Sequence, residues 1–551
     1  MAPSARLHTQ QTDDPASQPL LGGSGSHRSP LGYAATTTTT PSGADAGAHG
    51  QQQAAATADA SASTFTRNLG ALDAFAIVIS IVIGSGIFTS PGAIDTNSPS
   101  PGAALVVWLI GGVLAWTGAA TMAELGTAIP GEGGVQPYLR YCFGDVFGFL
   151  AAWTWIVAVM PATLAILSIV FVESIFTAQG VTDQAGHWSH KILSVVVLVV
   201  VSLANSISTK ASTRLNNFFV GTKFVAIAGV VLAGLVVVIM QLAGAGGDAD
   251  GGNDWHERNW FHTRPVVNPD GSINDWQGLG TWQLLGFYST ALYGALWAYS
   301  GWDKAVYISA ELSAPAKQLP LAINTAIPTI IACFLAANAA YYVLLPWGVV
   351  STTDSVAVTA ITRLLGRGFG IVAAIVICLV VAGSLLGNSF VAGRMAVAAA
   401  NTGWFPRLFS VVGHVGVPSK SSSQDVPASS SPTTKKEPSD APVNAIILSA
   451  ILSTLYIVLG NFRVLVTFNG LGEYTFFFLA VLGALVLRWR EPELERPYKP
   501  LVVIPAVFVV VSGFVVVRGA IFAPAQAAVL LGVWAVGLVF YWVRRRWFSA
   551  V

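Results

Sequence analysis

The chain has 551 residues, of which 53% are hydrophobic and only 10% are charged, and its formal net charge is +1. So few charges cannot cover a soluble globule of this length, and the composition therefore indicates a polytopic membrane protein. The basic residues are spread among the connections rather than gathered into one patch, which gives no indication of a nucleic-acid partner.

The first segment, residues 1–66, is rich in Ser, Thr, Ala, Gly and Gln and contains the tract TTTTT. It has no long apolar core, so it reads as neither a signal peptide nor a folded domain. We predict a disordered cytoplasmic N-terminal tail, because such a composition cannot bury enough apolar surface to fold.

Twelve apolar runs follow, and roughly 20 apolar residues are needed for a helix to cross a bilayer. The runs lie near 72–94, 103–123, 146–172, 192–207, 218–242, 283–302, 321–346, 369–400, 442–460, 464–487, 500–518 and 523–543. An even number of crossings places both termini on one side of the membrane. The connections on that side carry more Lys and Arg than those on the other, so both termini are predicted to be cytoplasmic.

Two connections are long. Residues 244–280, which contain GAGGDADGGNDWHERNW, are predicted to be an extracellular insertion loop, with a lid over the protein as the alternative. Residues 415–442, which contain SKSSSQDVPASSSPTTKKEPSD, are of low complexity and are predicted to be a flexible cytoplasmic loop.

The cysteines and histidines of the sequence indicate neither a metal site nor a catalytic site. The three cysteines lie in or beside apolar spans without a CxxC pair, and four histidines are interpreted as solvated loop residues rather than metal ligands. These residues are Cys142, Cys333, Cys378, His187, His190, His256 and His262. No Ser-His-Asp, HExxH or phosphate-loop pattern falls at a plausible site, and no cofactor is expected.

Small residues interrupt two of the predicted spans. The first span is broken by Gly84, Ser85 and Gly86, and the sixth by Ser300 and Gly301. Breaks at corresponding positions five spans apart are typical of an inverted repeat and indicate a binding site between the repeats. The alternative interpretation of each break is close helix packing through small residues.

The breaks predict complementary charges. Unwinding at residues 84–86 would leave N–H groups at the start of a half-helix, where the helix dipole favours a carboxylate. The carbonyl groups of Trp297, Ala298 and Ser300 would form a negative pole for an ammonium group. Glycine at 84, 86 and 301 lets the backbone approach a ligand closely. Together these poles predict a receptor for a zwitterion such as an α-amino acid.

At these residues the sequence resembles the L-type amino acid transporter group of the amino acid, polyamine and organocation superfamily, most closely its fungal members. The resemblance covers about residues 67–546. Its motifs are IGSGIFTSPGAI, MAELGTAIPGEGGVQPYLRYCFG, NNFFVGTKFVAIAG, WAYSGWDKAVYISAELSAPAKQLPLAI and GNSFVAGRMAVAAANTGWFP. It implies a LeuT-type fold of twelve transmembrane helices in which helices 1 and 6 are discontinuous. Two inverted repeats of five helices, about 67–243 and 281–490, would be followed by two extra helices over 500–546.

The resemblance also implies roles for individual residues. Ile83, Gly84, Ser85 and Gly86 would hold the substrate carboxylate, and Trp297 would close over the substrate from outside. The side-chain pocket would be lined by Val82, Ile83, Trp297 and Asn388. Many relatives have Phe at the gate and Gly at the position of Ser300, so the sequence leaves side-chain preference open. The loop after the third span has no cysteine for a disulfide-linked heavy subunit, and we expect none.

Three charged residues are candidates for coupling and gating. Lys223 would occupy the place of a sodium ion in sodium-coupled relatives, tethering the unwound part of span one and carrying a proton, and snorkelling to the cytoplasmic surface is the alternative. Glu124 and Glu311 are expected to pair with loop basics such as Arg140 or Lys317 and set closure of the inward gate, or else to be plain surface charges.

The sequence therefore predicts a sodium-independent carrier of neutral, apolar L-amino acids that works by alternating access with proton symport or exchange. Two other functions stay open, an amino acid sensor and a carrier of polyamines or other organic cations. The plasma membrane is the expected location, with the vacuolar membrane as the alternative.

Overall fold

A computed structural model describes residues 70–129, 134–181, 187–207, 209–244, 253–303, 313–411 and 442–548. In these ranges the fold is helical apart from one short antiparallel hairpin, β1 (Val266–Val267) and β2 (Ile273–Asn274). The helices are α1 (Ala71–Val82), α2 (Gly86–Thr96), α3 (Pro101–Ala128), α4 (Val135–Phe143), α5 (Asp145–Ala178), α6 (Trp188–Ile207), α7 (Thr209–Leu242), α8 (Asp254–Glu257), α9 (Thr281–Ala298), α10 (Pro315–Leu344), α11 (Trp347–Val350), α12 (Val356–Leu365), α13 (Arg367–Asn401), α14 (Val443–Leu459), α15 (Phe462–Arg490), α16 (Val503–Phe522) and α17 (Pro524–Phe548).

The prediction of an all-helical membrane protein is confirmed. Nine helices in the described ranges are long and apolar enough to cross a membrane. The other three predicted spans correspond to shorter elements: the first to α1 and α2, the sixth to α9, and the ninth to α14. Two of these three are the spans in which the sequence predicted breaks: α1 and α2 have 12 and 11 residues, and α9, with 18 residues, ends at Ala298 before the second break.

The first break separates α1 from α2 at residues 83–85. Every residue of α2 is buried, although its sequence is only moderately apolar and contains Pro91. Small residues make this possible. A Cβ on Gly92 would lie 2.1 Å from the carbonyl oxygen of Thr353, and a Cβ on Gly294 would lie 2.9 Å from Cγ1 of Ile94. α2 therefore packs closely against α9 on one side and the segment after α11 on the other.

A wide turn interrupts α5. Residues Trp155–Val159 form one turn of π-helix, a feature that leaves a backbone carbonyl without its regular partner. The hydroxyl group of Tyr456 on α14 donates to the carbonyl oxygen of Val157 at 3.2 Å. The irregular backbone is thus satisfied inside the protein, as the interior of a membrane requires.

The core beside α2 is aromatic. The ring centroid of Trp108 on α3 lies 6.1 Å from that of Tyr299 and 5.7 Å from that of Phe334 on α10, both in edge-on arrangements. Rings prefer this geometry, and all three side chains are buried. They fix the position of the segment that follows α9, which carries the second break.

Candidate functional site

The two breaks meet directly. A Cβ built on Gly86 would lie 2.4 Å from Cα of Ala298 and 3.2 Å from its backbone nitrogen. These distances are too short for any side chain, so the start of α2 and the end of α9 are in backbone contact. Sequence reasoning predicted that both segments belong to one site, and the geometry brings them together.

The beginning of α2 offers free backbone donors. The N–H of Phe88 is bonded to the carbonyl oxygen of Ser85 at 2.9 Å, but the N–H groups of Gly86 and Ile87 have no backbone acceptor among the described residues. Ser85 is buried and makes no side-chain cap to the helix. A helix start of this kind carries a partial positive charge and suits an anionic group.

The second break begins where α9 ends. The N–H of Tyr299 bonds to the carbonyl oxygen of Ala295 at 3.0 Å, and the N–H of Ser300 to that of Trp297 at 3.1 Å. The carbonyl group of Trp297 is therefore already engaged within the turn. Gly301 has a φ of 106°, in the left-handed region that glycine adopts most readily. The helix therefore ends before this residue, because an α-helix needs a φ near −63°.

The predicted pocket residues lie around these breaks in different ways. Val82 and Ile83 are buried beside the first break, whereas Trp297 is half-buried. Asn388 on α13 donates from its side-chain amide to the carbonyl oxygen of Ser384 at 2.8 Å. The side-chain N–H group of Asn388, which was predicted to contact a ligand, is therefore already bonded to its own helix.

Sequence reasoning missed Ser384. Its hydroxyl group is the side-chain atom nearest to a Cβ built on Gly84, at 3.9 Å, and it is buried without a hydrogen-bond partner in the described part of the chain. A buried hydroxyl without a partner costs free energy unless something else bonds to it. A small polar residue inside an apolar span, next to the Gly383 that precedes it, was the available signal.

Lys223 is inside the protein. Its side chain is buried on α7, one turn after Phe219, whose ring lies against Gly383 of α13. A Cβ on Gly383 would come within 2.4 Å of Cβ of Phe219. Lys223 therefore lies on the face of α7 that packs against α13, the helix that also carries Ser384. This burial does not fit a fully snorkelled side chain.

Charged residues fasten the end of α2. We call this the outer side, because the distribution of basic residues predicts that it faces away from the cytoplasm. The guanidinium of Arg264 donates to both carboxylate oxygens of Asp95 at 2.8 and 2.7 Å, and the hydroxyl of Tyr342 donates to the same carboxylate at 2.7 Å. Asp95 is fully buried. Sequence reasoning overlooked it, since the predicted span ended one residue earlier.

A second cation extends this network. Arg463, at the start of α15, donates to Asp354 at 2.9 and 3.0 Å and to the carbonyl oxygen of Ser351 at 2.9 Å. It also bonds to the hydroxyl group of Thr96 at the end of α2. Burial raises the pKa of Asp354 above its ordinary 3.8, and the adjacent Arg463 opposes that shift.

The prediction for Glu124 was wrong about its partner. Arg140 instead pairs with Asp145 on the surface. Glu124 is buried and forms a two-pronged ion pair with Arg488 at the end of α15, and Arg496 lies 3.4 Å from it. A buried carboxylate needs such compensation, because a buried charge without a partner is strongly destabilising. Glu311, its proposed counterpart, lies outside the described residues.

The interpretation of His190 as a solvated loop residue was also wrong. His190 lies in α6, is fully buried, and its Nε2 is 3.2 Å from Oε2 of Glu173 on α5. The other three histidines named above are exposed. The helix begins earlier than the apolar run, because Trp188 and His190 extend it toward the outer side. Within the described ranges no group of three His, Cys, Asp or Glu residues could hold a metal ion.

An apolar groove of about 300 Å³ lies away from the breaks, on the surface of α3 and α10 beneath Trp260 and Phe261. None of the residues predicted for substrate binding lines it. The breaks, rather than this groove, gather the polar groups that a small ligand needs.

Helices long enough to cross a membrane, with two interrupted spans touching at their breaks, define a membrane transporter of the discontinuous-helix class. The family model described as amino acid permease matches residues 69–543, so the chain belongs to the amino acid permease family. Its curated relatives are transporters as well, and the chain is accordingly not an enzyme.

Two relatives illustrate the similarity. The chain is 30% identical to the b(0,+)-type amino acid transporter 1 of Homo sapiens, over 87% of this chain and 88% of that protein. It is 27% identical to the human large neutral amino acids transporter small subunit 2, over 87% of this chain and 81% of that protein. These relatives confirm membership of the L-type group that the motifs indicated.

Proposed function

We propose that this permease carries neutral, predominantly apolar L-amino acids across a membrane by alternating access, with the ligand bound at the junction of α2 and α9. The observation that supports this most is the contact between Gly86 and Ala298. It places a helix start with free N–H donors beside the end of another helix, so that groups of opposite partial charge adjoin. An α-amino acid carries a carboxylate and an ammonium group on one carbon, so it offers one charge to each of the two helix ends.

The side-chain preference follows from the residues around the breaks. Val82 and Ile83 are apolar and buried, and Trp297 offers a broad half-buried ring that could close over a substrate. A cationic side chain would need a carboxylate there, and the residues proposed for the pocket include none. Ser384 and Asn388 supply a small polar contact, so amino acids with short polar groups should also be accepted.

Sodium independence is part of the proposal. Lys223 is buried on the face of α7 that packs against α13, and a fixed ammonium group there would disfavour a second cation by repulsion. Transport would then be driven by proton symport or by exchange, with Lys223 as the residue that links α7 to the first break. The protein would work in the plasma membrane, with cytoplasmic termini and without a disulfide-linked subunit.

Uptake into proteoliposomes tests the function. Purified protein should accumulate radiolabelled leucine or phenylalanine equally well with sodium or potassium outside. Uptake at two external pH values, with and without amino acid inside, separates proton symport from exchange. Saturable binding without accumulation would contradict the proposal and favour a sensor.

Ligand competition tests the site. Because the start of α2 is proposed to bind a carboxylate, methyl esters of the same amino acids should compete poorly. Polyamines, which lack a carboxylate, should not compete at all. Equal competition by free acids and esters would overturn the assignment of Gly86 and its neighbours.

A further inference from the structure

The loop that follows α7 is fastened to the end of α2 by its own side chains. Besides the bond from Arg264 to Asp95, the side-chain amide of Asn274 donates to the carbonyl oxygen of Thr96 at 3.0 Å. The N–H of Arg264 bonds to the carbonyl oxygen of Pro99 at 3.0 Å, and that of Gly102 to Trp260 at 2.8 Å. Residues 253–280, which we call the strap, therefore hold α2 and the start of α3 together.

Among these contacts of the strap, the pair of Arg264 with Asp95 is the only one that is formed by charged groups and is also buried. The Arg264 side chain is 10% exposed and Asp95 is 0% exposed, whereas the Arg258 side chain, paired with Asp254 on the same strap, is 63% exposed. Charges removed from water are strongly destabilised when they lose their partner, but exposed pairs contribute little. Separating Arg264 from Asp95 thus requires water or a new partner to reach the end of α2.

A displacement of α2 away from the strap would admit water to that point. The same half-helix bears, at its other end, the N–H groups to which we assign the substrate carboxylate. We propose that Arg264 is the outer latch of this transporter: it positions α2 in the closed arrangement, and the pair with Asp95 separates each time the site opens to the outer side. This inference rests on the proposed alternating access, but its test does not require transport.

The test measures access to α2 from the outer side. Ser90 is fully buried on α2, and its hydroxyl group has no partner in the described part of the chain, so Ser90→Cys loses no hydrogen bond there. A membrane-impermeant maleimide added outside should label this cysteine only while α2 is displaced. The same protein with Ser90 intact corrects for labelling of the native cysteines.

The variant that removes the latch should replace both charged side chains of the pair by neutral ones. Asp95→Asn combined with Arg264→Gln removes the pair without leaving a buried charge alone. We expect it to raise the labelling rate about tenfold, corresponding to about 1.4 kcal/mol of closing free energy. Arg264→Lys keeps the charge but not the two-pronged geometry, and should give a smaller increase. Arg258→Gln is the matched control and should leave labelling unchanged.

Transport kinetics supply the second readout. A latch that closes too weakly favours the outward-open form, so the KM for outer substrate should fall while kcat also falls, because closing becomes slower. A merely structural contact would reduce kcat without lowering KM. Unchanged labelling in the neutral pair variant would overturn the latch. Increased labelling in a protein that accumulates no amino acid would sustain the latch and refute the proposed function.

Discussion

Gly86 and Ala298 are in backbone contact, with only 2.4 Å between Cα of Ala298 and the place where a side chain on Gly86 would begin. Gly84, two residues earlier, has no atom of another segment closer than the Ser384 hydroxyl at 3.9 Å. The two glycines of the same motif therefore have different reasons to lack a side chain. Gly86 must lack a side chain because of packing against Ala298, whereas the missing side chain of Gly84 leaves space beside the break.

Substitution by alanine should separate these reasons. Gly86→Ala must push α2 and α9 apart, and overpacking of this kind costs about 1–3 kcal/mol. We expect uptake to fall by about tenfold or more, because that amount of free energy is spent at the proposed ligand site. Gly84→Ala is the matched control for packing. A Cβ there would meet no atom closer than 3.8 Å, so this variant should leave the melting temperature unchanged, whereas Gly86→Ala should lower it. An equal fall in melting temperature in both variants would mean that the contact has no special role.

A side chain at position 301 should be destabilising because of the backbone conformation of Gly301. Its φ of 106° is costly for any residue with a Cβ, by about 1–2 kcal/mol. Gly301→Ala should therefore lower the melting temperature in detergent and reduce uptake, since it favours continuing the helix through the break. Gly532→Ala on α17, where a Cβ would meet nothing within 4 Å, should be neutral or slightly stabilising.

Ser384 should contribute to substrate affinity. Its buried hydroxyl group has no partner in the described part of the chain, so a bound ligand can supply one. A hydrogen bond is worth about 0.5–1.5 kcal/mol, and Ser384→Ala should accordingly raise KM by roughly two- to tenfold with little change in kcat. In Ser168→Ala, which removes a hydroxyl already bonded to Leu164 at 2.8 Å, KM should not change.

The ion pair of Glu124 should matter for stability. Glu124→Gln would leave Arg488 and Arg496 without a buried carboxylate, and breaking such a pair costs about 3–5 kcal/mol. Arg258→Gln removes the exposed partner of Asp254, which should cost less than about 1 kcal/mol. Thermal unfolding in the same detergent compares the two. A larger effect at Arg258 would contradict the burial argument.

The pH dependence of stability should reveal Asp354. Its pKa is raised above 3.8 by burial, so over a window above that value the folded protein binds a proton that the unfolded chain has released. Stability then declines as pH rises through this window. In Asp354→Asn this decline should disappear, so the melting temperature of the variant relative to the original protein should be higher at pH 7 than at a pH below 3.8. A constant difference would refute the shift.

The sequence predicted the spans well and the contacts poorly, for physical reasons. Apolar runs and small-residue breaks are local patterns, so α1, α2 and α9 could be anticipated, including the junction of Gly86 with the sixth span. Partner choice depends on which helix ends become neighbours. Glu124 was therefore assigned to Arg140, near in sequence, rather than to Arg488, which lies 364 positions away.

One misassigned polar residue and two overlooked ones share a cause. His190, Asp95 and Arg264 occur at or beyond the ends of apolar runs, where a sequence gives no measure of burial. The structure buries His190 and Asp95 completely, because neighbouring helices and the strap cover them. A polar or charged residue just outside a predicted span can therefore be buried inside the protein as well as exposed on its surface.

The close packing of α2 on α9, at Gly86 against Ala298 and again at Ile94 against Gly294, has a mechanical consequence. The backbone contact at Gly86 and the Ile94 side chain seated against Gly294 leave no room for the two helices to slide past each other, so they should move together as one rigid body. Spin labels on them would keep a constant separation through the cycle, while both would change their distance to α5.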